Sequence, residues 1–171
     1  MALRKETSTN TRKITVENAR LIGAALEAIG RGKTVVLPLK GDSMRPLLKG
    51  GRDMARLCSV EIRKLKGESE FEAKLIQSDD VVLAEVEKGR YVLHRIIRVD
   101  GDRITLMGDG NRTPECCGRE DVKAVAVSFC IGGRWYGARS PLLMFYSLVV
   151  LRIVRLARGL RGCLCRWSPR R

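Results

Sequence analysis

Histidine occurs once in these 171 residues, at position 94, and aromatic side chains make up only 5%. One imidazole cannot complete an ordinary zinc set with the six cysteines, at 58, 116, 117, 130, 163 and 165, none of which forms a Cys-x-x-Cys pair. Cys116 and Cys117 are adjacent and poorly spaced to hold one ion together. The sequence therefore predicts no metal and no cofactor, and free thiols in a reducing compartment. Scarce aromatics without a stacking motif speak against a nucleic-acid reader. No run of about 20 apolar residues is present, so no membrane-spanning helix is expected. Met1 to Lys13 is polar and lacks the apolar centre of a secretory signal. Acidic residues also run out, because none follows Asp121, whereas Lys123 and nine arginines do. That stretch carries +10 of the net +14, so the charge belongs mainly to a basic tail rather than to the folded body.

What is present is ordinary material for a folded domain: 44% hydrophobic and 30% charged residues. Val16 to Ile29 has a helical pattern, with Ile22, Ala25, Leu26 and Ile29 on one face and Thr15 as its cap. From Thr34 the texture becomes that of strands: Thr34–Leu39, Asp53–Cys58, Asp80–Val86, Tyr91–Val99, Arg103–Met107, Val122–Phe129 and Ile131–Tyr136. Residues 63–79 are charged and read as a loop. Past Pro141 an apolar run meets Arg152, Arg155 and Arg158, which form a stripe on a helix. The expected fold is mainly β, a compact coiled-sheet or barrel-like core with an N-terminal helix and a C-terminal basic amphipathic helix. The expected division is an arm and helix over 1–33, a β domain over 34–136, and a basic helix and tail over 137–171. Residues 141–171 suit an anionic membrane surface, which predicts a peripheral membrane or cytoplasmic location.

Three short segments carry candidate chemistry. Ser43 sits in Gly41-Asp42-Ser43-Met44-Arg45-Pro46, a sharp turn after a strand, where a nucleophile is exposed and backbone N–H groups can face a developing oxyanion. His94 lies in Leu93-His94-Arg95-Ile96, and strand alternation puts it with Val92 and Ile96 on an inward face. As the sole imidazole it is the only histidine base available. Asp109 lies in Gly108-Asp109-Gly110-Asn111, and a hairpin of the two preceding strands would return it towards His94. A carboxylate there would hold the imidazole tautomer. Glu115 is a second possible carboxylate, less constrained by this argument. Taken singly, each segment also has a plain structural reading: an everyday turn, a core histidine and an Asx turn.

Their order adds weight. Ser43-Met44-Arg45-Pro46, Asp80-Val81-Val82-Leu83, His94-Arg95-Ile96 and Gly108-Asp109-Gly110-Asn111 resemble, in sequence, the motif series of signal peptidases and of the related self-cleaving repressors. The resemblance covers Val35 to Phe129. Within that superfamily many members use a lysine base, whereas the endoplasmic-reticulum and archaeal type has histidine. His94 at this position implies the Ser–His branch, and the chain resembles compact bacterial members carrying Leu-His-Arg-Ile. Gly41 departs from the hydroxyl residue that many bacterial signal peptidases carry two places before the nucleophile, which shifts oxyanion binding onto the Ser43 N–H.

The resemblance implies a serine endopeptidase that processes a signal, precursor or leader peptide, with Ser43 as nucleophile, His94 as base and Asp109 behind the ring. The first competing expectation is an inactive peptidase-fold binding module associated with a membrane or a partner. A self-cleaving regulator needs a DNA-binding domain and a lysine base. Only one short helix precedes Ser43, and the base position holds histidine.

Overall fold

Short stretches rich in β-branched residues alternate here with turn-forming pairs, and the strands follow that punctuation closely. The computed structural model describes residues 20–60 and 76–153. It holds one N-terminal helix, α1 (20–30), and eight strands: β1 (Val35–Pro38), β2 (Met54–Cys58), β3 (Val81–Glu87), β4 (Arg90–Asp100), β5 (Arg103–Met107), β6 (Glu115–Gly118), β7 (Val122–Ile131) and β8 (Arg134–Gly137). A C-terminal helix begins as α2 (Pro141–Phe145), widens into a π turn over Tyr146–Val150, and continues through 151–153. The protein is mainly β, a curled antiparallel half-barrel with a helix at each end of the described chain.

Neighbouring strands run β1-β2-β7-β3-β4-β5-β6, and β8 pairs with β7. β7 is the organiser. One edge pairs with β2; the other is shared, with β3 along Val122–Val125 and β8 along Ser128–Ile131. Sharing one long strand between two partners obliges the sheet to curl, and register shifts in the β2–β7 and β3–β7 ladders assist it.

The curl makes two apolar clusters. The first joins Ala25 and Ile29 of α1 to Leu37, Met44, Leu48, Leu57, Leu83, Phe129 and Leu143. The second gathers Val82, Ile96, Ile104, Leu106, Cys117 and Val125. Helix α1 thus buries the face that its apolar spacing predicts, while the Thr15 cap lies outside the described residues. So do 61–75, most of the stretch read as a loop, and the arginines beyond 153.

Two features depart from the sequence reading. The sequence pattern predicts no strand at β6, and β7 extends to Ile131 before turning at Gly132 and Gly133. β4 also breaks simple alternation: His94, Arg95 and Ile96 are all buried. The physical reason is that both faces of the strand are covered at this point. Ile96 enters the second cluster, while Arg95 meets the C-terminal helix through Ser147.

Candidate functional site

Ser43 is carried on a turn that two glycine-rich segments hold from below. Gly41, at φ 71°, takes the left-handed conformation that starts the turn, a conformation costly for residues with a Cβ. Asp42 pairs with Arg45 at 2.6 Å across its outer side. Beneath it, the Gly110 N–H donates to the Ser43 carbonyl at 2.8 Å. A Cβ placed on Gly108 would stand 3.0 Å from the Ser43 Cβ and would collide with the Ser43 carbonyl oxygen. Glycine at 108 is therefore required by close approach of two backbones.

That approach also fixes which side of the sheet Ser43 occupies. β4 and β5 pair Arg95 with Met107, so one further step of the register sets Gly108 opposite His94. Paired residues of an antiparallel ladder project from the same side. Ser43 stands on the side to which the absent Gly108 side chain would point. Ser43 and His94 both border one cavity of about 250 Å³, together with Leu37, Met44, Leu83 and Tyr91. Among the described residues no hydrogen bond joins the Ser43 hydroxyl to the ring.

His94 is almost wholly buried, and its Nδ1 lies 2.8 Å from Glu115 Oε2. The two groups lie outside hydrogen-bonding alignment, and neither atom has a hydrogen-bond partner among the described residues. Glu115 is held from its other oxygen by Arg90, whose Nη1 donates to Oε1 at 2.7 Å. The geometry follows from strand lengths. β5 stops at Met107, and β6 brings Glu115 opposite Leu106, so the ring reaches β6 where β5 has ended.

Asp109 occupies a different place from the one expected of it. Its carboxylate accepts two hydrogen bonds from Arg95, from Nε and Nη2, both at 2.8 Å. Arg95 Nη1 donates further to the Asp79 carbonyl and to Ser147 Oγ, each at 2.9 Å. The expectation that Asp109 contacts the ring is therefore corrected. Its neighbour is the guanidinium one residue along β4, on the other face, and the acid beside the ring is Glu115. Asp109 acts on His94 only as a more distant negative charge.

Burial pushes the His94 pKa below its ordinary value, while the charge and contact of Glu115 push the other way and Arg90 adds to the lowering. The net direction is down, so the ring is neutral at neutral pH. A carboxylate beside Nδ1 favours the tautomer protonated there, with Nε2 the basic atom. Among the described residues no cluster of histidine, cysteine and carboxylates is suited to a metal ion. Comparison with protein-family models, with curated proteins and with solved structures finds no match to this chain.

Proposed function

We propose that this protein is a serine endopeptidase of the signal peptidase type, cleaving a peptide bond in a precursor or leader peptide. The observation that carries the reading is the single cavity that both Ser43 and His94 border, with Glu115 against the ring nitrogen. The motif order of the sequence adds independent support.

In this reaction His94 Nε2 takes the Ser43 proton as the hydroxyl oxygen attacks the scissile carbonyl. Glu115 steadies the imidazolium that forms, and Arg90 keeps that carboxylate in place. The Ser43 N–H stabilises the oxyanion, a contribution of about 10²–10³ in rate for one such donor. The C–N bond then breaks as Nε2 returns the proton to the leaving amine. Water, deprotonated by the same ring, releases the acyl group from Ser43. The hydroxyl closes on the ring when substrate fills the cavity, because catalytic hydrogen bonds often tighten only in the complex. Edge strand β1 contributes Leu37 and Pro38 to the cavity wall and, among the described residues, pairs only with β2. Its open edge suits an extended peptide added as a further strand.

The missing hydroxyl-to-ring hydrogen bond favours a second reading, a binding module that keeps the peptidase fold without turnover. A fluorophosphonate probe separates the two. Labelling at Ser43 that disappears in His94→Ala supports the enzyme, and an unlabelled wild-type protein supports the module. With a cleavable peptide in hand, Ser43→Ala should lower turnover by about 10⁶, as in comparable serine sites. Undiminished cleavage by that variant would exclude Ser43 as nucleophile.

A further inference from the structure

Ten large hydrophobic side chains are exposed among the described residues, and six of them fall within the C-terminal helix: Leu142, Met144, Phe145, Leu148, Val149 and Ile153. The other four are scattered, and one of those, Trp135, lies under the Arg56 guanidinium at 4.4 Å. The helix is apolar on its inner face as well. Leu143, Tyr146 and Leu151 are buried against the body, and Ser147 joins them and accepts from Arg95 at 2.9 Å. The π turn explains how both faces are served. Its wider winding keeps Leu143, Ser147 and Leu151, spaced by four, on the inward side, and sends Phe145, Leu148 and Val149 outward.

A helix apolar all round is normally buried. Here one face is fixed to the protein, and the opposite face has Phe145 and Ile153 each 60% exposed. Concentrated apolar exposure of this kind marks an interaction site. Charge identifies the partner. Arg152 is exposed within the same helix, and the chain after Ile153 contains six arginines, Trp167 and no acidic residue. A second copy docking through this face would bring like charges together. No helix among the described residues is long and apolar enough to cross a membrane.

We infer that the outer face of the 142–153 helix docks in the interface of an anionic lipid bilayer. Phe145, Leu148, Val149 and Ile153 enter the headgroup–acyl boundary, and Arg152 pairs with headgroups. The Arg95–Ser147 bond and the buried inner face hold this surface to the body, so the whole domain is carried to the lipid. The inference stands apart from the peptidase reading.

The test is flotation of the full chain with vesicles of phosphatidylcholine alone or of an equal mixture with phosphatidylglycerol. Binding is expected to the mixed vesicles, to weaken with added salt, and to fall at least about tenfold in Phe145→Asp/Leu148→Asp. Arg152→Gln alone should cost about fivefold. Hydrogen exchange on the unmodified chain gives a readout that needs no variant: mixed vesicles should slow exchange across 142–153. Equal binding to both vesicle types, no binding to either, or a dimer that the double variant dissolves would each overturn the inference. Because fluorophosphonate labelling of Ser43 is measured without lipid, loss of either property is distinguishable from loss of the other.

Discussion

His94 stands between burial, which favours its neutral form, and a carboxylate 2.8 Å from Nδ1, which favours the charged one. Burial prevails, so the acid limb of kcat/KM is expected below the ordinary histidine pKa of about 6.5. Glu115→Gln removes two of the three influences that oppose burial and leaves only the more distant charge of Asp109. The limb should then move to lower pH, and the rate should fall by about 10²–10⁴ as the ring loses its enforced tautomer. Because the chain has one histidine, its ring-proton NMR titration reports the shift directly in the folded protein. A titration unmoved by Glu115→Gln would remove that residue from the site. At this scale the sequence offers Ser43 and His94 as candidates and sets two carboxylates side by side. Asp109 drew attention because it sits in a Gly-Asp turn. Glu115 drew less because β6 is four residues long, holds two cysteines and a glycine, and shows no alternation.

Among the elements, most strands were legible. Arg103–Met107 forms as its pattern and the Asp100-Gly101-Asp102 turn predict, and the β-branched run near Val35 gives β1. What local patterns do not contain is the stacking of the Ser43 turn on the segment after β5. There the contact is backbone on backbone, with Gly110 donating to the Ser43 carbonyl and Gly108 leaving room for it. Gly108→Ala has no flexible neighbour to displace, so the turn itself must lift. Probe labelling at Ser43 should fall at least about tenfold, and stability should drop by about 1–3 kcal/mol, the usual cost of overpacking. Unchanged labelling and melting would show that the turn is held less closely than this contact requires.

Across the whole molecule, Arg95 ties three regions together: the segment after β5 through Asp109, the start of β3 through the Asp79 carbonyl, and the C-terminal helix through Ser147. The pair is buried, with the Asp109 side chain fully inaccessible and that of Arg95 7% exposed. Asp109→Asn leaves the guanidinium without its counter-charge and should cost about 3–5 kcal/mol of stability, measured by denaturant unfolding. Activity lost in proportion to the folded fraction fits this structural role. Loss in a fully folded Asp109→Asn protein, with a shifted pH profile, would instead restore Asp109 to the ring.

The division between sequence and structure follows from range. The sequence by itself determined the β character of the chain, the helical face of α1, the sole imidazole, the Ser43 turn and the basic end. Each of these depends on composition or on residues within a few positions of one another. Only the tertiary structure decided that Glu115 and not Asp109 meets the ring. It also decided that Arg95 belongs to the opposite face, and that one side of the C-terminal helix is buried while the other is left apolar and exposed. Those outcomes depend on strand register, on where β5 ends, and on helix-to-sheet contact. Such features arise from packing between segments distant in the chain, where no local periodicity records them.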